Sequence, residues 1–201
     1  MKSDKFIFVL NNEEEIVIKL HNQNDVIHCC YKAPIIFLQK SQELLLSKGD
    51  IQENMYILAA LLNKALSNNL QLHSSITQDI GFLFNRDRNE EKPDLAYEKV
   101  ERVSFWVGDK YKLWSYRVAT WLYNDQAGNI IFEITPIYPQ TFRNPAKDLD
   151  IDDYEAWMKT YKPVLIRIIP KDIARIWLAQ ANDILKLIEE NIKMLQEKNQ
   201  F

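Results

Sequence analysis

The sequence predicts an α+β fold in a single domain, residues 1–201, with an antiparallel sheet of about five to seven strands packed by two helices. Short runs of β-branched and aromatic residues separated by turn residues occur near the N-terminus and again across 99–138. Apolar residues at helical spacing follow at 51–67 and at 171–198. This succession of strand and helix patterns, without regular βαβ alternation, is typical of the α+β class.

The N-terminal hairpin and the first helix are predicted from local patterns. Residues 5–10 and 15–21 are β-rich runs separated by two asparagines and acidic residues, which predicts a hairpin. Asp50 is predicted to cap a helix at 51–67, and Glu53 stands three residues later, at the position of a capping-box partner.

Residues 99–138 are predicted to form a three-stranded antiparallel meander. Turn residues at Gly108-Asp109 and at 125–128 separate the three runs. If the second loop has four residues, Trp121 lies opposite Phe132. Core packing is expected for most of the aromatic residues in this region, because antiparallel strands ordinarily use such residues in that way.

The long helix at 171–198 is predicted from its apolar stripe and from Pro170, since proline is favourable at a helix entry. At about 1.5 Å per residue this helix is roughly 40 Å long. We therefore expect its last turns to project beyond the packed core.

Composition excludes several classes of function. The chain has 25 Lys+Arg and 28 Asp+Glu, a net charge of −3, and this balance argues against a nucleic-acid binder. Its 4 glycines are scattered singly, so no phosphate-binding loop is expected. No apolar stretch approaches the roughly 20 residues that a membrane span needs. The first residues resemble a strand more than a signal peptide, and the abundance of Asn, Ile and Lys is typical of an AT-rich bacterial genome. We expect a cytoplasmic bacterial protein without a nucleic-acid or membrane partner.

The cysteine cluster His28-Cys29-Cys30 does not have the spacing of a metal site. Adjacent cysteines in a strand point to opposite faces, so reduced thiols are expected, with no metal and no cofactor. A zinc site completed by His21 or His73 is the alternative. With three histidines and no GxSxG motif, no hydrolytic triad is predicted.

A segment rich in acidic and aromatic residues is the predicted partner-binding site. Hydrophobic anchors surrounded by charges are typical of interaction hot spots. Its members are Asp148, Asp150, Asp152, Asp153, Tyr154 and Trp157. The leading hypothesis is a non-enzymatic protein that binds another protein, for example an immunity or antitoxin type of inhibitor of a bacterial toxin. The sequence does not determine the oligomeric state.

Two other hypotheses remain open. The first is an apolar small-molecule binder with a cavity between the sheet and the C-terminal helix. The second is a hydrolase with dispersed carboxylates, of which Glu101 and Glu133 are the pair to test. Arg102, Trp106 and Arg117 are candidate contacts for a ligand or an anion, because arginine stacks on tryptophan and binds anions.

Overall fold

The structure is a computed structural model that describes residues 4–21, 26–74, 76, 78–89, 97–100, 103–138 and 154–198. The strands in these residues are β1 (Lys5–Asn11), β2 (Glu14–Lys19), β3 (Ile35–Gln39), β4 (Gln42–Ser47), β5 (Tyr97–Val100), β6 (Val103–Trp106), β7 (Lys112–Ser115), β8 (Val118–Asn124), β9 (Ile130–Pro136) and β10 (Leu165–Ile169). The helices are α1 (Ile51–Leu66), α2 (Ile80–Asn89), α3 (Val107–Tyr111), α4 (Tyr154–Thr160) and α5 (Lys171–Lys198).

The α+β class, the antiparallel pairing and the two long helices are confirmed. Helix α1 matches the prediction at 51–67 to within one residue, and α5 matches that at 171–198. The strands form two four-stranded antiparallel sheets, in the orders β1-β2-β3-β4 and β10-β9-β8-β7, and β5 and β6 form a separate hairpin. The assignment of residues 1–201 to one domain stays a prediction.

The first sheet begins with the predicted hairpin, in which Phe8 of β1 pairs with Ile16 of β2. Both side chains are 1% exposed, because strand alternation directs them to the core face. Helix α5 lies along the outer edge of β1, where Trp177 Nε1 donates to the Val9 carbonyl at 2.8 Å and Gln180 Nε2 donates to the Ile7 carbonyl at 3.1 Å. These bonds satisfy edge carbonyls that would otherwise be open to another strand.

The predicted three-stranded meander is formed by β7, β8 and β9, with β10 added next to β9. Gly108 and Asp109 lie in the short helix α3 instead of a tight turn. The run before them, predicted as the first strand of the meander, instead supplies strands of the separate β5–β6 hairpin, and the run after them is divided into β7 and β8. The β8–β9 hairpin is also one residue out of the predicted register: Trp121 pairs with Glu133 and not with Phe132.

The register differs because β8 continues to Asn124, which pairs with Ile130, so the connection has one residue more than predicted. The Asp125 N–H donates to the Asn129 carbonyl at 3.0 Å, and Gly128 adopts a φ of 80°, which suits glycine. A shift of one residue moves every side chain of the shifted strand to the opposite face of the sheet. It places Glu133 on the face that carries Trp121.

Trp177 joins α5 to both sheets. Its ring is 6.1 Å from Phe8 of the first sheet and 6.3 Å from Phe132 of the second, in edge-on contacts, and Phe37 lies 6.2 Å from Phe132. One hydrophobic core therefore includes residues of both sheets, α1 and α5. Residues 193–197 are exposed, as expected for a helix that extends beyond the core. Among the described residues, no helix combines the length and apolar content that crossing a bilayer requires.

The capping box predicted at the start of α1 is not formed. Asp50 has extended backbone angles, but its side chain makes no capping hydrogen bond. Instead, Asn54 Nδ2 donates to the Asp50 carbonyl at 2.8 Å. The helix begins where predicted because its apolar face packs, with Ile51 and Met55 at most 1% exposed.

An ion pair between Glu14 of β2 and Arg167 of β10 joins the two sheets. Arg167 Nη2 lies 2.6 Å from Glu14 Oε1 and Nε lies 2.8 Å from Oε2, so the contact is bidentate. The Glu14 side chain is 4% exposed, whereas that of Arg167 is 35% exposed. Hydrogen bonds from Arg167, and further ones from Asn11 and Gln39, lower the pKa of Glu14.

Replacement of Arg167 by methionine is expected to cost about 2–3 kcal/mol of unfolding free energy at pH 7. It leaves a buried carboxylate without its cation, and the estimate is reduced because Arg167 is partly exposed. Because the pKa of Glu14 is lowered, its contribution to the unfolding free energy is present above pH 4.5 and is lost as the pH falls through the folded-state pKa. Urea unfolding should show that Arg167→Met loses less unfolding free energy at pH 3 than at pH 7.

The matched control is Arg175→Met, which removes an exposed guanidinium from α5. The double variant Glu14→Gln with Arg167→Met should recover part of the loss, because no unpaired charge remains buried. Equal losses in the two single arginine variants would show that the pair does not hold the sheets together.

Candidate functional site

The predicted partner-binding residues fall partly within the described structure. Asp148, Asp150, Asp152 and Asp153 lie outside the described residues. Tyr154 and Trp157 lie on α4, half-buried, with ring centroids 5.1 and 5.3 Å from that of Tyr138. The two rings therefore hold α4 against the core and leave part of their surface accessible. Their role in binding a partner stays a prediction.

The candidate ligand or anion contacts do not form one described cluster. Arg102 and Glu101 lie outside the described residues. Trp106 is the last residue of β6, and its side chain is also outside what the structure describes. Arg117 is exposed at the bend between β7 and β8. The sequence pattern predicts that Arg117 lies within a strand, but the chain turns there, since the Tyr116 N–H donates to the Val118 carbonyl at 3.0 Å.

The aromatic residues of the meander pack mainly in the core, as predicted. Trp121 is fully buried, and Tyr111 is too. Trp114 is 3% exposed, and its Nε1 lies 3.4 Å from the Asn54 carbonyl of α1.

Strand β10 carries an apolar surface that faces solvent. Val164, Ile166 and Ile168 are 53, 48 and 58% exposed, whereas Leu165 and Ile169 between and beyond them are buried. The alternation follows strand geometry: Arg167 points towards Glu14 of the first sheet, and Ile166 and Ile168 point away from it. We call Val164, Ile166 and Ile168 the β10 surface. Among the described strands β10 has β9 as its single neighbour, so it is a sheet edge.

A carboxyl pair formed by buried Glu133 and half-buried Asp79 lies on the opposite side of the second sheet from the Phe132 core. Glu133 of β9 is 1% exposed, and its Oε2 accepts a 2.7 Å hydrogen bond from Tyr123 of β8. Asp79, just before α2, accepts a 2.6 Å hydrogen bond from Tyr161 at its Oδ1. Among the described residues, Glu133 Oε1 has no donor. The neighbouring acid is Asp79, and a carboxylate only accepts hydrogen bonds. Glu133 can therefore donate a hydrogen bond towards Asp79 only in its protonated form.

Helix α2 brings Asp79 to the sheet. Asp79 Oδ1 also accepts hydrogen bonds from the N–H groups of Gly81 and Phe82, at 2.9 and 3.0 Å, as an N-cap residue does. Gly81 permits the close approach: a Cβ there would lie 2.5 Å from Thr135 on β9. The backbone of α2 thus packs directly on the strand that carries Glu133.

Burial, followed by the nearby charge of Asp79, raises the pKa of Glu133 to about 8. Burial and the charge of Glu133 also raise the pKa of Tyr123. A carboxyl group that titrates near neutral pH has the property required of a general acid or base. Glu133 is 1% exposed, however, so a substrate reaches it only if the residues that cover it move.

Sequence reasoning selected Glu133 but missed Asp79 and Tyr161. Tyr161 follows Asp79 by 82 residues, and no local pattern connects them. The sequence does contain a signal for Asp79: an aspartate directly before a helix is a capping pattern, and Asp79 stands before α2. The hydrolase hypothesis with Glu101 and Glu133 stays a prediction.

A groove of about 290 Å³ lies between β1 and α5. Its walls are mainly apolar, with two polar residues on the helix side. They comprise Phe6, Ile7, Phe8, Gln180, Asp183, Ile184 and Leu187. The hypothesis of an apolar-ligand binder expects a cavity between the sheet and the C-terminal helix. This groove lies between β1 and α5, but it opens on the surface instead of being enclosed by the core, and the hypothesis stays a prediction.

Comparisons with protein-family models, with curated proteins and with solved structures give no match to this chain.

Replacement of Glu133 by glutamine is expected to remove a pH dependence of stability. The raised pKa means that the folded state keeps a proton that the unfolded state releases above about pH 4.5. The contribution of Glu133 is thus fully present below that pH and is lost as the pH rises to about 8. Urea unfolding between pH 5 and 8 should show wild type losing up to about 1.4 kcal/mol per pH unit relative to Glu133→Gln.

Asp79→Asn is the companion variant, because asparagine caps a helix as well as aspartate does. Without the neighbouring charge the pKa of Glu133 should fall, and the pH range over which the unfolding free energy decreases should end at a lower pH. Parallel stability curves for wild type and Glu133→Gln would contradict a protonated Glu133.

Proposed function

We propose that this chain binds another protein and that the β10 surface provides the contact. The observation that carries the proposal is the exposure of its three β-branched side chains, 48 to 58%: Ile166 and Ile168 lie on a strand at a sheet edge, and Val164 directly precedes it. Exposed apolar strands at sheet edges pair readily with other chains, and proteins ordinarily protect them. The edge of β1 is covered by α5 in this way. The contrast supports a binding role for β10.

The charges around the β10 surface support a partner of particular chemistry. Lys162 precedes β10 and Lys171 follows it, and both are exposed. Main-chain bonds to an edge strand give affinity, and flanking charges give orientation. The complementary partner offers an extended apolar strand bordered by acidic residues. This surface differs from the acidic segment predicted from sequence, whose charges would suit a basic partner.

The specific form of this proposal is a non-enzymatic inhibitor of the immunity or antitoxin type, acting in the bacterial cytoplasm. Such a protein works by covering the active surface of a toxin. A strand held on one side by β9 and on its inner face by the Glu14 ion pair is a rigid platform for that task.

Lysine substitution at both Ile166 and Ile168 is expected to weaken partner binding about 30-fold or more, because charges then replace two apolar anchors. The partner is first identified by co-purification from the native host. Its dissociation constant is then measured with both proteins purified. The melting temperature should change little, since both side chains are about half exposed.

Ile176→Lys is the matched control, because Ile176 is 52% exposed but lies on α5. The proposal fails if no partner is recovered or if the double variant binds the purified partner as tightly as wild type. Sedimentation of the isolated protein measures its oligomeric state. If wild type self-associates and the double variant does not, the β10 surface binds a second copy of this chain.

The groove between β1 and α5 favours a second candidate function, the binding of an apolar small molecule. Its volume of about 290 Å³ is near the lower limit for ligand pockets, and most of its walls are apolar. Asp183 and Gln180 on the helix side offer acceptors to a ligand with a hydrogen-bond donor.

Replacement of Leu187 by tryptophan is expected to fill the groove and to reduce binding of the neutral dye Nile red at least tenfold, since the dye loses its apolar contact area. Leu195→Trp is the control, because Leu187 and Leu195 are both 37% exposed and only Leu187 lines the groove. Equal dye fluorescence titrations for the two variants would exclude the groove as the binding site.

A further inference from the structure

Cys29 and Cys30 occupy the two central positions of a tight turn. The Tyr31 N–H donates to the His28 carbonyl at 3.0 Å, which closes a β-turn over the cysteines. Both thiols are free and exposed, and their sulfur atoms lie 3.6 Å apart. The expectation from sequence, that adjacent cysteines point apart, holds for a strand. Here the chain turns, so both sulfurs lie on one side.

The turn is anchored at both ends. Before it, the Ile27 carbonyl accepts a 2.9 Å hydrogen bond from Asn191 of α5. After it, Tyr31 is 9% exposed, its hydroxyl accepts from the His21 N–H at 2.8 Å, and its carbonyl accepts from the Ile51 N–H at 2.9 Å. The two thiols are therefore presented from a fixed support, which lowers the entropic cost of binding a ligand to both.

The sulfur separation fits chelation better than a disulfide. Two thiolates on one tetrahedral ion, with metal–sulfur bonds of about 2.3 Å, lie about 3.8 Å apart. A disulfide requires about 2.05 Å, so the sulfurs would have to approach each other considerably. The observed 3.6 Å is close to the first value.

We propose that Cys29 and Cys30 form a two-thiolate site for one thiophilic metal ion. Within the described residues, no group of three or more His, Cys, Asp or Glu side chains is placed to hold a metal. The described residues thus supply two ligands, and water or an external thiol fills the remaining positions. Soft ions of the zinc and copper(I) class prefer such sulfur ligands.

Binding exchanges protons for the ion. Each thiol releases one proton to the buffer as its sulfur binds, so a divalent ion replaces two protons and no oxidant or reductant is needed. Affinity is accordingly expected to increase with pH.

The test is titration of the full chain with Cd²⁺, followed by calorimetry and by the ultraviolet charge-transfer band of the metal–thiolate bond. Wild type should bind one ion per chain. Cys29→Ser and Cys30→Ser should each weaken binding about tenfold or more, as expected when a metal site loses a ligand. Because both cysteines are exposed, the variants should keep the wild-type circular dichroism.

A matched control keeps two exposed thiols but separates them: Cys30→Ser combined with Ser41→Cys. Ser41 is exposed in the turn between β3 and β4, at the far end of β3 from the cysteine turn. This variant should bind no better than Cys30→Ser. Binding as tight as wild type in it, or in either single variant, would overturn the proposal. If a serine variant does not fold, alkylation of wild type decides: one equivalent of Cd²⁺ should protect both cysteines, and protection of one or neither would also overturn the proposal.

Discussion

The arrangement of both sheets depends on the burial of one side chain, the indole of Trp177. It is fully buried at the point where α5 meets the first and second sheets, with Phe8 on one side and Phe132 on the other. Its single polar atom donates to the Val9 carbonyl, so burial costs no unpaired donor. Because this one ring of α5 contacts both β1 and β9, the position of α5 determines how the two sheets face each other. The Glu14–Arg167 pair then fixes the sheets at a second point.

This arrangement leaves the two outer edges in different states. The edge of β1 lies under α5, whose side chains bond its carbonyls. The β10 strand is held on its inner face by Arg167, and its outer face carries Ile166 and Ile168 in solvent. Among the described residues, the longest helix thus protects the β1 edge, whereas β10 has β9 as its single neighbouring strand, and this asymmetry is the basis of the function proposed above.

The carboxyl pair of Glu133 and Asp79 shows a second consequence of the packing. A glutamate that is 1% exposed is costly as an anion, and the raised pKa of Glu133 expresses that cost. The register of the β8–β9 hairpin places this residue beneath α2, and the glycine at position 81 lets the helix approach closely. Polar groups from β8, β9, α2 and the segment before β10 meet there, although they are distant in sequence.

Local patterns in the sequence determined the elements themselves: the β1–β2 hairpin, α1, the β8–β9 hairpin and α5 follow from residue spacing, turn residues and helix boundaries, which act over a few positions. Tertiary structure alone decided the division of strands into two sheets and the meeting of Asp79 with Tyr161 and Glu133. It also decided the exposure of the β10 surface and the turn that brings the cysteine sulfurs together. The physical reason is that these features depend on contacts between distant segments, and a one-residue difference in a loop reverses the face on which a side chain lies.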